Sequence, residues 1–144
     1  MKKYIFVVSL LCLLAACTGK RQGEAAAEVA ALPAVEDVVM YQVNPRVFAP
    51  EKSFKAVERR LDSIQALGIN VVWFMPINEV GQEKSVNSPY CVKDYKGVNP
   101  EFGTLDEFKA LVATCHQKGM NVIIDWVANH TSWDNAWIAN KEWY

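Results

Sequence analysis

Between residues 37 and 144 the apolar positions change spacing in a regular rhythm. Val39-Met40-Tyr41-Gln42-Val43 is a short run of strand-forming residues. Phe54, Val57, Leu61, Ile64 and Leu67 then recur at three- and four-residue steps, which predicts one amphipathic helix after Ser53 with Gly68 as its stop. A second strand lies in the run Gly68 to Pro76, and a long loop follows. Thr104 and Glu107 fit a capping box, in which each satisfies the other's orphan backbone donor, so a second helix opens there and ends before Gly119. Val122 to Ile124 is a short continuous apolar run and reads as a strand buried on both faces. Strand, helix, strand, long loop, helix, strand argues for a parallel sheet with crossover helices. That alternation suits both a closed barrel and an open doubly wound sheet.

The pattern upstream is different. Lys2 and Lys3 precede the apolar run Ile5 to Leu14, which is shorter than the roughly 20 residues that cross a bilayer as a helix. Leu14-Ala15-Ala16-Cys17 completes a lipobox-like end: small residues admit a signal peptidase to the backbone, and the Cys17 thiol takes the lipid. Residues 1–17 are therefore expected to be a lipoprotein signal peptide, with the mature chain anchored to a membrane of a bacterial cell envelope through Cys17. The plainer alternative is a secretory signal in which Cys17 is incidental. Residues 18–36 read as a tether, polar from Thr18 to Glu24 and alanine-rich from Ala25 to Ala34. Ala25 to Leu32 has the composition of a helix but no wide apolar stripe with which to pack.

Composition narrows the partners. The chain is 51% hydrophobic and 22% charged, as globular domains are, and its formal net charge is -1. Without a basic cluster to neutralise phosphates, nucleic-acid binding has no electrostatic basis. Once Cys12 leaves with the signal and Cys17 is lipidated, Cys91 and Cys115 remain. They could pair in an oxidising compartment, but Cys115 shares a helix face with Phe108, Leu111 and Val112, where a small buried thiol is the simpler reading. No zinc-type spacing is present.

Candidate chemistry sits just past the last apolar run, at Asp125, Asn129 and His130. A carboxylate, an amide and an imidazole at the C-terminal end of a strand stand where ligands bind in folds of alternating strands and helices. Upstream, the chain reads Ser88-Pro89-Tyr90-Cys91-Val92-Lys93-Asp94-Tyr95, then Asn99-Pro100-Glu101-Phe102-Gly103-Thr104. With the first strand carrying Arg46 and Phe48 beyond it, the second ending Trp73-Phe74-Met75-Pro76, and Asp125-Trp126-Val127-Ala128-Asn129-His130, these motifs in this order resemble the α-amylase family of glycoside hydrolases.

The resemblance implies an α/β fold, the first three strand-helix units of a (β/α)8 TIM barrel. Such a barrel takes about 250 residues, so residues 37–144 would be the N-terminal part of a catalytic domain. It implies a retaining hydrolase with two carboxyls about 5–5.5 Å apart, acting on α-glucans such as starch or maltodextrin. The nucleophile, acid/base glutamate and further aspartate are expected beyond Tyr144, so no catalytic residue is expected within the chain, which alone is expected to be inactive. Tyr90 matches the aromatic residue that stacks on the sugar at the cleavage point. His130 matches the histidine that hydrogen-bonds hydroxyls of the same sugar. Asp125 corresponds to the aspartate that orients the arginine just before the nucleophile, and Asn129 to a calcium ligand. Asp94 and the run Asn99 to Gly103 read as structural, and Trp73, Phe74 and Pro76 as packing. Trp126, Trp133, Trp137 and Trp143 either line a glycan cleft or pack into a small inserted domain. His116, at a helix C-terminus, receives no chemistry. A second class of function is a noncatalytic envelope lipoprotein that binds glycans through the tyrosine and histidine alone.

Overall fold

The computed structural model describes residues 31–144. The signal peptide, Cys17 and residues 18–30 of the expected tether lie outside the described residues.

Three parallel strands form the sheet: β1 (Met40–Val43), β2 (Val71–Phe74) and β5 (Asn121–Ile124), in the order β1-β2-β5. Their register sets Met40 beside Val71 and Asn121, and Gln42 beside Trp73 and Ile123. Between β1 and β2 run three short helices, α1 (Pro45–Phe48), α2 (Ser53–Glu58) and α3 (Leu61–Gln65). Between β2 and β5 come an antiparallel hairpin, β3 (Glu79–Val80) with β4 (Val92–Asp94), and the longer helix α4 (Leu105–Gln117). After β5 the described chain makes 3-10 turns at Ala136–Ala139 and Lys141–Trp143.

The helix expected from Ser53 to Leu67 is divided. The Arg60 N–H bonds to the Val57 carbonyl at 2.8 Å, three residues back, so the turn at Arg59 and Arg60 tightens and helical bonding resumes from Ile64 N–H to Arg60 at 3.0 Å. The apolar stripe survives this break, because Phe54, Val57, Leu61 and Ile64 are all buried. The capping box at α4 forms in both directions: Glu107 N–H donates to Thr104 Oγ1 at 3.1 Å, and Thr104 N–H donates to Glu107 Oε2 at 2.9 Å. Gly68 and Gly119 end the two helical segments at φ +82° and +74°, a conformation that costs a residue with a Cβ.

The core lies between the helices and one face of the sheet. Val43, Val72 and Phe74 meet Phe54, Phe108 and Leu111, with the Phe74 and Phe108 rings edge to face at 5.5 Å. Cys115 is fully buried in this cluster, and burial pushes its thiol up to about 12. Both Cys91 and Cys115 are free thiols.

The expectation that Val122 to Ile124 is buried on both faces is corrected: Ile123 and Ile124 are 42% and 43% exposed. β5 has one hydrogen-bonded neighbour among the described residues, and the face carrying Met40, Gln42 and Ile123 has no helix over it. Ile123 lies on that uncovered face, while Ile124, beside Phe74 on the helix side, is exposed at the carboxyl end of an edge strand.

Within the expected tether, the described residues are held. The Ala31 carbonyl accepts from Asn121 Nδ2 at 3.3 Å, and Val35–Asp37 makes a 3-10 turn. Asn70, immediately before β2, donates through Nδ2 to the Asp37 carbonyl at 2.7 Å and accepts from Val39 N–H at 2.9 Å. Residues 31–39 thus cross the N-terminal ends of the strands.

Candidate active site at the carboxyl ends of the strands

Asp125 is the first residue past β5, and its N–H still bonds the Phe74 carbonyl at 2.8 Å, so the ladder fixes its position. Both carboxylate oxygens are engaged. Trp73 donates its indole N–H to Oδ1 at 3.1 Å, and the Tyr90 hydroxyl donates to Oδ2 at 2.9 Å. Two donors from two elements thereby fix the plane of a charged acceptor. The same contact acts back on Tyr90, whose phenol is held above its ordinary range chiefly by donating to Asp125, then by burial and by the nearby negative charge. Tyr90 is 39% exposed, so part of the side chain remains accessible to a ligand.

Tyr90 is delivered by a tight loop between β3 and β4. Ser85 and Ser88 accept backbone bonds within it, from Asn87 N–H at 3.1 Å and Tyr90 N–H at 3.3 Å. Lys84, Val86 and Asn87 have φ of 51°, 47° and 57°, a left-handed conformation that costs a β-branched residue such as Val86 most. Arg46, just past β1, donates to the Asn87 carbonyl at 2.6 Å and pins the loop over the strand ends. On the other side Asp134 Oδ2 accepts from Gln82 N–H at 2.9 Å, and that bond is the main reason its carboxyl lies below the usual range.

His130 and Asn129 occupy a neighbouring place. The Tyr95 hydroxyl lies 2.6 Å from the Val127 carbonyl oxygen and 2.7 Å from that of His130, sharing its hydrogen between them and so shaping the turn that carries both residues. Burial, with Tyr144 contributing less, raises the Tyr95 phenol. Asn129 Nδ2 is 3.3 Å from His130 Nδ1, which suits an imidazole accepting at Nδ1 and carrying its hydrogen at Nε2. The two face a cavity of about 600 Å³ walled by Tyr95, Trp126, Trp137 and Trp143. Trp137 stacks on Tyr95 at 5.2 Å and 10°, and Trp143 meets Trp137 edge on at 6.4 Å. Trp133 stands apart from that cavity, its ring 4.1 Å beneath Lys84 Nζ.

Tyr90 and Asp125 are thus in contact, as are Asn129 and His130, while the aromatic cavity is lined by the second pair and not the first. A calcium ion needs several oxygen donors. Among the described residues no group of three histidine, cysteine or acidic side chains converges, and Asn129 lies among aromatic rings. Among the described residues Asn129 offers a single amide oxygen toward such a site, and the companion ligands that the family resemblance implies are expected beyond Tyr144. Sequence reasoning treated Trp73 as packing and missed its bond to Asp125. The available signal was period two: Val72 and Phe74 point to the helices, so Trp73 lies on the opposite face with its N–H free for a partner. The role of Tyr95 as a brace had no comparable signal, because it depends on a turn 32 and 35 residues away.

Comparison with known proteins identifies the fold and the family. Residues 52–143 match the profile described as alpha amylase, catalytic domain. An oligo-1,6-glucosidase from Halalkalibacterium halodurans is 33% identical over 111 residues, covering 74% of this chain and 19% of that protein. The human amino acid transporter heavy chain SLC3A1 is 38% identical over 103 residues, covering 68% of this chain and 15% of that protein. The crystal structure of an alpha-amylase from Lactobacillus plantarum superposes with a TM-score of 0.70 at 40% identity, over 75% of this chain and 27% of that one. The chain spans about a fifth of the length of the curated relatives it matches. With strands in parallel, crossover helices on one face and polar groups at the strand ends, the chain belongs to the α-amylase family of glycoside hydrolases and has the fold of the first strand-helix units of its (β/α)8 barrel.

Proposed function

We propose that the chain forms part of a retaining hydrolase of α-linked glucose polymers or oligomers such as starch or maltodextrin. The observation that carries this reading is the Trp73-Asp125-Tyr90 cluster at the strand ends, which fixes a carboxylate and leaves Tyr90 partly exposed beside it. In this proposal Tyr90 stacks on the C–H face of a glucose ring at the cleavage point. His130 donates from Nε2 to that sugar's hydroxyls, a contact that strengthens as the ring distorts toward the transition state. Asp125 holds an arginine beside the nucleophile, in addition to the two donors it already has. The nucleophile and acid/base are supplied by strand-helix units beyond Tyr144, and the 144-residue chain alone is inactive. The proposed anchor is a lipid on Cys17, which places the protein in a bacterial envelope. Asn129 would offer its amide oxygen to a calcium ion whose other ligands come from beyond Tyr144, and no step is routed through that ion.

A second reading is a noncatalytic glycan-binding lipoprotein. The aromatic cavity beside His130 supports binding as such, and one relative is named as a transporter heavy chain, so membership of the family does not by itself carry hydrolysis. The deciding test incubates the intact gene product with maltoheptaose and follows reducing ends and their anomeric form by NMR. Hydrolysis with retained α configuration, reduced about 10²-fold or more in kcat/KM by H130A, is expected. Binding by calorimetry with no turnover would instead establish the second reading.

A further inference from the structure

We infer that the protein meets the lipid surface with the N-terminal ends of its strands, so that the Trp73-Asp125-Tyr90 cluster faces away from the membrane. The inference rests on the proposed anchor at Cys17 and deepens it by assigning which surface lies against the bilayer. Its basis is the strap of residues 31–39. Asn121, only 4% exposed, holds the Ala31 carbonyl at the foot of β5, and Asn70 holds both Asp37 and Val39 at the foot of β2. The chain coming from the anchor is therefore seized at the bottom of the sheet. The same end is closed by the Gly68 and Gly119 turns and by Gln65 Nε2 donating to the Lys118 carbonyl at 2.7 Å. Arg46, the Tyr90 loop, Asp125 and His130 all lie at the opposite end, past the carboxyl ends of the strands.

Tether length decides whether the domain can turn over. Residues 18–30 reach at most about 45 Å when fully extended. A compact domain of this size has a radius of roughly 17 Å, so a chain leaving its foot needs roughly 55 Å to run round to its opposite end. Because the strap is held by asparagine side chains at the strand feet, that tether does not lengthen by peeling residues 31–39 while both clasps hold.

Energy transfer on vesicles tests the orientation. The full-length gene product, made in a lipoprotein-processing bacterium, carries C91S and one exposed labelling site at a time. L67C and Q117C report the foot, and V86C reports the site end; Leu67 and Val86 are 69% and 95% exposed, so neither substitution disturbs the core. Labelled protein is reconstituted in phosphatidylcholine vesicles bearing an acceptor-labelled lipid. Four-residue strands rising about 3.3 Å per residue, with their turns, separate the two ends by roughly 25 Å. The expected result is a loss of donor emission at L67C and Q117C at least about twice that at V86C. Equal losses, or a larger loss at V86C, on protein that binds vesicles through Cys17 would overturn the orientation and leave the anchor standing. Failure to bind vesicles, or equal binding by C17S, would overturn the anchor and the orientation together.

Discussion

Asp125 and Tyr90 report on one another, which makes their contact measurable without a substrate. Replacing the acceptor's charge in D125N should lower the Tyr90 phenol toward the ordinary tyrosine value of about 10, read by phenolate absorbance as the difference from a Y90F control. The sign follows from the raised value: the folded state favours the neutral phenol, so the stability this group contributes is complete below about pH 10 and is lost as pH rises through the folded value. Alkaline denaturation should therefore weaken the native protein more steeply than D125N above that pH. W73F removes the other donor and leaves a carboxylate oxygen unpaired, at a cost of about 1–2 kcal/mol in urea unfolding. Cysteine chemistry separates just as cleanly. Cys115 is fully buried with its thiol pushed up to about 12, whereas Cys91 is half-buried. Brief alkylation at pH 8 followed by peptide mapping should mark Cys91 in folded protein and Cys115 only after denaturation. Asp125, Asn129 and His130 were legible as candidates because they are polar groups just past a buried-type apolar run, and Tyr90 because its loop resembles the corresponding loop of the α-amylase family. Their pairing was not, since the Tyr90 to Asp125 bond spans 35 positions and depends on how the β3–β4 loop closes.

Elements with their own local chemistry were the legible ones. α4 begins and ends where Thr104, Glu107 and Gly119 indicated, because a capping box and a left-handed glycine act within a single turn. T104A removes one half of that box and should cost about 1 kcal/mol, measured by thermal or urea unfolding. The tightened turn at Arg60 escaped the periodicity because the stripe of Phe54, Val57, Leu61 and Ile64 continues through it. The exposure of Ile123 and Ile124 escaped for another reason: burial of a strand is set by its neighbours in space, which the run itself does not contain. The β3–β4 hairpin is the element whose placement depends most on distant packing. Gly81, next to β3, faces buried Asp134 Oδ1 and Ser132 Oγ, and a Cβ there would overlap the Asp134 carboxylate and the Ser132 side chain. G81A should push the hairpin off that segment at a cost of about 1–3 kcal/mol. The Trp133 ring then loses its place under Lys84, which would appear as a shift in tryptophan emission.

At the scale of the whole molecule, the described domain is one well-packed layer joined to one uncovered layer. The helix side has Phe54, Leu61, Phe74 and Leu111 buried to 1% exposure or less. On the other side Met40 and Ile123 are each more than two-fifths exposed, and β1 and β5 each lack a second strand neighbour among the described residues. Unpaired strand edges and partly exposed apolar residues on one face invite association with other chains, and they lack the neighbours that make a closed barrel unfold as a unit. Cooperativity follows from mutual burial, so a sheet covered on one side should loosen gradually as its edges fray. Residues 18–144, heated alone and followed by circular dichroism, are therefore expected to melt over a broad range and to bind a hydrophobic dye before heating. A sharp two-state transition with no dye binding would mean that the helix layer suffices. The same experiment on a chain extended through the remaining strand-helix units of the family's barrel should restore a steep transition, since those units would place a strand beside each open edge. If it did not, the weakness would lie in the packed layer, and L111A, expected to cost about 2–5 kcal/mol, would locate it.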